Sequence, residues 1–194
     1  VEPNTVEYNG GTAQNIKNPN GTLSVYAIGC ALLDNTYSNL ILSNTNTKTL
    51  TGNITINGDL TIKDNAQLDV STNNYSIDMK GNPSVGLNGN WINISTNANP
   101  FIERNGLVTF TGTAAQSLTA NLSGGETFYN LTINNTSTGL TQINNNVNVT
   151  NTLTLTSGVV HTGVYETNVT NTATTSVSGH STISYIDGFL RRNL

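Results

Sequence analysis

The chain contains two degenerate copies of one sequence, and this internal repeat limits its fold more than any other feature. Three blocks recur in the same order, namely 6–14 as 108–116, 37–44 as 129–135, and 54–62 as 147–155. The first pair reads VEYNGGTAQ and VTFTGTAAQ, and the third pair keeps its apolar residues at identical internal spacing. Repeats of this kind are typical of stacked structural units, which usually act as spacers, display scaffolds or binding surfaces rather than as enzymes.

The spacing of the copies predicts one domain over 1–194, with repeats at about 6–97 and about 108–190. The offset falls from about 102 residues at the first block to about 91–93 at the later two, so one copy carries an insertion at about 17–35. This insertion contains the most apolar window of the chain, Leu23–Leu33, and the single Cys30. We expect the window to be buried against the first coils as a local cover.

Composition points to short strands joined by Asn and Gly turns. Only 9% of the residues are charged, whereas roughly a quarter are charged in ordinary globular domains. Asn and Thr together make up about a third of the chain. Such a sequence is either disordered or a β array, and the alternation of apolar and polar residues in 131–133, 147–149 and 152–156 favours the array.

The alternation predicts an all-β fold, and two architectures remain open, a sandwich and a solenoid. The matched blocks favour the solenoid, and coils of about 22 residues, stacked about 4.8 Å apart, would give about eight to nine coils. We expect Asn to form corners and inter-coil ladders, with 134–135 and 144–146 at strand ends. The predicted inward rungs are Leu40, Leu42, Ile54, Ile56, Leu60, Ile62, Leu131, Ile133, Val147, Val149, Leu153 and Leu155.

Three phrases add to the repeated blocks: GNWIN at 89–93, FYNL at 128–131 and YIDGFLRR at 185–192. Together they resemble the β-solenoid repeat regions of large cell-surface proteins of Bacteroidota, many of them cargo of the type IX secretion system. The resemblance implies a right-handed parallel β-solenoid (β-helix), a secreted, cell-surface location and a role as stalk, adhesin or scaffold in cell adhesion. It brings no catalytic residues.

Acidic residues and histidines form no recognisable catalytic pattern. Polysaccharide-cleaving β-helices need converging carboxylates, but the 11 acidic residues are scattered. Asp59, Asp64 and Asp69 come closest together, and a Ca²⁺ site there is the weaker interpretation. His161 and His180 lie about one coil apart in sequence, and two histidines without other ligands form a surface pair more often than a metal site. We therefore predict no enzyme activity, no cofactor and no metal.

Charge and hydropathy limit the classes of partner that this chain can bind. A net charge of −4 with only seven Lys and Arg residues argues against nucleic-acid binding. The sequence contains no run of roughly 18 apolar residues, so membrane insertion is not expected. Expected partners are flanking repeats of the parent protein and surface glycans. The isolated chain should be a monomer when dilute, with any self-association running end to end through its C-terminal coil.

The sequence thus predicts a structural or adhesive segment of a secreted surface protein. The first alternative is a carbohydrate-binding or polysaccharide-degrading β-helix, with ligand contacts at Trp91, Tyr129 and Tyr165, and also Tyr75. The second is an ice-binding or self-assembling fibre module, suggested by the alternating threonines in 150–156, although ordinary β propensity also explains them.

Overall fold

In a computed structural model, described at residues 4–18, 36–137 and 139–193, the chain is built from short strands. The predicted cover Leu23–Leu33, with Cys30, lies outside these residues. The strands are β1 (Thr5–Tyr8), β2 (Gln14–Ile16), β3 (Thr36–Tyr37), β4 (Asn39–Leu42), β5 (Thr45–Leu50), β6 (Ile54–Ile56), β7 (Leu60–Ile62), β8 (Asn65–Asp69), β9 (Ile77–Met79), β10 (Trp91–Asn93), β11 (Phe101–Ile102), β12 (Leu107–Phe110), β13 (Gln116–Ala120), β14 (Glu126–Asn134), β15 (Leu140–Gln142), β16 (Val147–Val169), β17 (Val177–Ser178) and β18 (Ser184–Arg192). A 3₁₀ turn spans Pro83–Val85. Within the described ranges no helix is long and apolar enough to cross a membrane.

The strands stack as three parallel ladders, which we call faces 1, 2 and 3. Face 1 contains β1, β4, β7, β10, β13, β15, then 158–161 of β16 and 184–187 of β18. Face 2 contains β2, β5, β8 and β11, then 126–128, 147–149, 166–169 and 189–192. Face 3 contains β3, β6, β9, β12, then 130–133, 152–155 and β17. The chain makes about seven turns through these faces, which confirms the predicted all-β parallel solenoid.

The core runs along the axis as stacked apolar rungs. All of the predicted inward residues are buried, and they belong to one hydrophobic cluster. Leu40 stacks on Leu60, and Leu131 stacks on Leu153, in parallel register. Period-two alternation therefore identified the buried side of these strands correctly.

Asparagine couples neighbouring coils, as predicted. Asn151 donates from Nδ2 to Asn130 Oδ1 over 2.8 Å, and Asn171 donates to Asn151 Oδ1 over 3.1 Å. Asn44 and Asn46 occupy the left-handed region at a corner, with φ of 66° and 69°. Asn tolerates this conformation better than most residues because its short side chain bonds locally.

The two sequence copies occupy different faces, which repeat periodicity alone did not predict. Val6 lies on face 1, whereas its counterpart Val108 lies on face 3. Ile54 lies on face 3, and its counterpart Val147 lies on face 2. Matched residues are thus shifted by one face in the same sense, so the copies are related by a step around the solenoid as well as along it.

Local corner geometry survives this shift. Gln14, on face 2, accepts a hydrogen bond at Oε1 from the Gly10 amide over 2.8 Å. Gln116, on face 1, accepts the same bond from the Gly112 amide over 3.0 Å. A Cβ on Gly10 would lie 2.7 Å from Gln14 Cδ, so a larger residue there would require the Gln14 side chain to move. The repeat therefore encodes a corner and its following strand, not a position on one face.

Candidate functional site

Trp91, the first predicted ligand contact, lies in the core. Its side chain has no exposed surface, and its ring packs edge-on against Phe101 and Phe128, with centroids 4.9 and 5.2 Å away. A sugar at the surface could not reach this ring. The prediction of Trp91 as a ligand contact is therefore wrong, because face 1 turns the residue inward.

The predicted tyrosines lie on the surface but do not form one groove. Tyr129 is half-buried at the irregularity between faces 2 and 3, where Phe128 ends one paired segment. Tyr165 is half-buried at a different corner, between faces 1 and 2. Tyr75 packs partly against the core, and its hydroxyl accepts a hydrogen bond from Asn73. Their role as ligand contacts stays a prediction.

The structure brings together a buried polar cluster that sequence analysis missed. Glu126 Oε2 accepts hydrogen bonds from Trp91 Nε1 over 2.9 Å and from Asn93 Nδ2 over 2.7 Å. Trp91 and Asn93 point inward from β10, and Glu126 points inward from the start of β14. The cluster ties face 1 of one coil to face 2 of the next.

Burial governs the protonation of Glu126. Loss of solvent raises the pKa of its carboxyl from 4.5 to about 7, although the bonds from Trp91, Asn93 and the Thr127 amide oppose the rise. Glu103 adds a further repulsion that raises the same pKa. A buried carboxyl of this kind changes its charge near neutral pH. Groups with such perturbed pKa values are often found at functional sites.

A break in face 2 lies beside this cluster. The ladder of β2, β5, β8 and β11 ends at β11, and no strand pairing joins β11 to residues 126–128 in the described part of the chain. A cavity of about 160 Å³ opens there, lined by 98–101 and 122–127. Glu126 forms part of its wall, so a proton-binding group lies next to a gap between two strand edges.

One sequence signal could have identified the cluster. Glu126 occupies the same strand parity as the buried Phe128, where an apolar residue is normal. A charged residue at an inward position requires compensating donors, which Trp91 and Asn93 supply. Glu126 is a single acidic residue among 11 scattered ones, so it does not form the pair of carboxylates that marks a catalytic site.

The three aspartates considered for Ca²⁺ have separate partners. Asp59 accepts a hydrogen bond from Asn90 Nδ2, and Asp64 accepts one from the Asn44 amide. Burial of Asp69 alone would raise the pKa of its carboxyl. Two hydrogen bonds from Arg104, at 2.6 and 2.7 Å, and one from the Ser71 amide outweigh burial and hold this pKa below its usual value. Among the described residues, no three His, Cys, Asp or Glu side chains lie together as metal ligands.

The histidines have different surroundings. His161 Nδ1 lies 2.9 Å from Asp187 Oδ2 on face 1, and both side chains are exposed. His180 lies in the turn after β17 and lines a different cavity. The predicted surface pair of His161 and His180 is therefore wrong, since residue 161 stacks on residue 187.

Face 3 carries one outward column of small polar side chains. In register, coil after coil, its members are Thr36, Thr55, Asp78, Thr109, Thr132, Thr154 and Ser178. The neighbouring column contains Leu107, Asn130 and Thr152. The hydroxyls thus form a single interrupted row, not the two-dimensional array suggested by the threonines in 150–156.

Comparisons with protein-family profiles, curated proteins and solved structures find no match to this chain.

Proposed function

We propose that the chain is a structural segment, a stalk or scaffold, of a secreted cell-surface protein, without catalysis of its own. The observation that carries this proposal is the continuity of the core along the solenoid axis. Buried rungs run from the first described coil to the C-terminal coils, with Asn side chains bonded between coils. Such a stack keeps two attached parts apart at a fixed spacing.

Two finer features belong to this proposal. The solenoid is right-handed, as parallel strand connections are in almost all proteins. Counting the segment of β18 as a coil beyond the seven turns gives about eight coils, the lower end of the expected eight to nine. Extracellular placement, by the type IX route or another, follows from the resemblance of its repeats, and antibody labelling of intact source cells would test it.

A glycan array tests whether the segment binds carbohydrate or acts only as a spacer. Fluorescently labelled chain should bind no glycan above background, and a panel of polysaccharides should show no turnover. The informative variants are Tyr129→Ala, Tyr165→Ala and Tyr75→Ala, the last at a side chain that also packs partly against the core. Saturable binding that Tyr129→Ala or Tyr165→Ala abolishes would overturn the spacer function in favour of carbohydrate binding.

A second candidate function, ice binding, is favoured by the hydroxyl column of face 3. Regular spacing of hydroxyls on a flat parallel sheet can order water, but Asp78 interrupts the row. Thermal hysteresis of freezing measures this function directly. If it occurs, Thr132→Lys should abolish it, whereas Thr61→Lys on face 1 should leave it unchanged. Absence of hysteresis in the wild type would eliminate the candidate.

A further inference from the structure

Face 2 is interrupted at one level of the stack, where faces 1 and 3 are continuous. At this level β10 pairs with β13 on face 1, and β9 pairs with β12 on face 3. On face 2, no strand pairing joins β11 to residues 126–128 within the described chain. We call this interruption the seam. Two paired faces opposite one unpaired face form a hinge, because face 2 can open while the other two ladders hold.

The two sides of the seam are hydrogen-bonded away from each other. On one side, the Pro100 carbonyl accepts from the Leu68 amide of the preceding coil over 2.8 Å. On the other side, the Glu126 amide donates to the Asn146 carbonyl of the following coil over 2.9 Å. The cavity of about 160 Å³ between them is large enough to hold water. Opening the seam therefore breaks no strand pairing on face 2 among the described residues.

Inside the seam, one polar contact and one aromatic contact join the two coils. Glu126 accepts hydrogen bonds from Trp91 and Asn93 of the coil before it. The rings of Phe101 and Phe128 lie on opposite sides of the seam, with centroids 5.8 Å apart. Of these two contacts, only that of Glu126 depends on a proton, so the protonation of this carboxyl controls how firmly the seam is closed.

The charges around Glu126 do not favour a buried carboxylate. Apart from Glu126, the adjoining segments contain no charged residue, and they are 91–93, 98–101, 122–127 and 147–149. Glu103, which follows β11, repels the Glu126 carboxylate. The neighbouring Arg104 is paired with Asp69 over 2.6 Å. An ionised Glu126 would therefore gain more from water than from the groups that face it in the closed seam.

We propose that the seam is a pH-controlled hinge of the solenoid. It stays closed while Glu126 is protonated, and it opens on face 2 when Glu126 loses its proton. The opening is local, so the coils on either side keep their strand pairing. A spacer needs no hinge of this kind, so the device goes beyond the proposed role as stalk or scaffold.

The direction and size of the effect follow from the burial of Glu126. In the closed seam, loss of solvent raises the pKa of Glu126 from 4.5 to about 7, although three hydrogen bonds oppose the rise. Opening returns the carboxyl to water and to its ordinary pKa. The equilibrium constant for opening therefore rises with pH between about 4.5 and about 7 and is level above that. The total rise is roughly 300-fold.

The indole N–H of Trp91 reports directly on the seam. Trp91 is the single tryptophan of the chain, and its N–H bonds to Glu126. Hydrogen exchange of this group is measured by NMR on the 194-residue chain from about pH 4.5 to about pH 8, with each rate divided by that of a free indole. The corrected rate should rise by roughly 300-fold up to about pH 7 and then stay level. Low concentrations of urea should not change it, because a local opening exposes little surface.

The backbone amide of Leu40 is the internal reference for global unfolding. It donates to the Asp59 carbonyl over 3.0 Å in an earlier coil of the stack. This amide should exchange more slowly than the Trp91 indole, and its exchange should depend on urea. An indole that exchanges at the same rate and with the same urea dependence as the Leu40 amide would overturn the inference, because only global unfolding would then expose Trp91.

Three matched substitutions of glutamate by glutamine complete the test. Glu126→Gln removes the titration, so the corrected indole rate should not vary with pH. Glu103→Gln removes a repulsion and should end the rise at a lower pH, which keeps the inference testable if Glu126→Gln does not fold. Glu7→Gln, the same change in the first coil, should leave the profile unchanged. A wild type without the rise, a rise that persists in Glu126→Gln, or one that ends at the wild-type pH in Glu103→Gln would each refute the hinge.

Discussion

Trp91 donates a hydrogen bond from its indole nitrogen to Glu126 across 2.9 Å, in a part of the core where Phe101 and Phe128 pack against the indole ring. The two residues belong to successive coils and different faces, and both are buried. Asn93 donates to the same carboxylate oxygen. A polar link therefore holds together two coils whose face 2 strands are not paired.

The burial of Glu126 makes the stability of the protein depend on pH. Since the pKa of folded Glu126 is raised to about 7 from 4.5, the fold favours the protonated form. The associated stability is fully present below about pH 4.5 and is lost as pH rises through about 7. The expected loss is roughly 3 kcal/mol, measured as the free energy of unfolding by denaturant at several pH values.

Glu126→Gln is the control for this titration. A glutamine carbonyl can accept from both Trp91 and Asn93, because both donors meet one oxygen. The variant should keep the fold and lose the fall in stability between pH 4.5 and 7. Equal pH dependence in both proteins would show that other groups are responsible.

Leu60→Ala tests the rungs. Leu60 is fully buried between Leu40 and Trp91, so truncation leaves a cavity and should cost about 2–5 kcal/mol of unfolding free energy. Thr61→Ala, on the outward side of the same strand, should change stability by less than about 0.5 kcal/mol. Denaturant unfolding of both variants checks this, and similar losses would contradict the inward assignment.

Two adjacent glycines test the corner beside the cavity. Gly125 has φ of 90°, and a Cβ there would clash with the Asn146 carbonyl, whereas a Cβ on Gly124 would meet nothing within 4 Å. Gly125→Ala should lower the melting temperature and destabilise by about 1–3 kcal/mol, and Gly124→Ala should have little effect. The reverse ranking would refute the corner geometry.

Asn151→Ala tests the amide ladder. The change removes the side-chain bonds of Asn151 to Asn130 and Asn171 and should cost about 1–2 kcal/mol. Thr172→Ala, at a nearby exposed position, serves as the control. An unchanged denaturation midpoint for Asn151→Ala would mean that the ladder adds no stability.

Local pattern was enough to predict strands, inward rungs and Asn corners, because each depends on neighbours within a few residues. The shift of the copies by one face was not predictable, since Ile54 and Val147 have the same alternation on any face. Trp91 was misassigned because an aromatic residue suits either a core or a ligand site. Trp91 and Asn93 point to the same side of β10, and a polar Asn side chain argues against that side being the buried one. Asn93 can be buried because Glu126, distant in sequence, accepts its hydrogen bond.

The most direct test of the parallel stack is a set of distances along the outward column of face 3. Spin labels at Thr55 paired with Thr132, Thr154 or Ser178, in a Cys30→Ser background, span three, four and five coils. The backbone separations should be about 14, 19 and 24 Å, an increase of about 4.8 Å per coil. Distances between the spin labels, measured by pulsed electron–electron double resonance, that rise in these steps would support the solenoid. Distances that do not increase with coil number, as in an antiparallel sandwich, would contradict it.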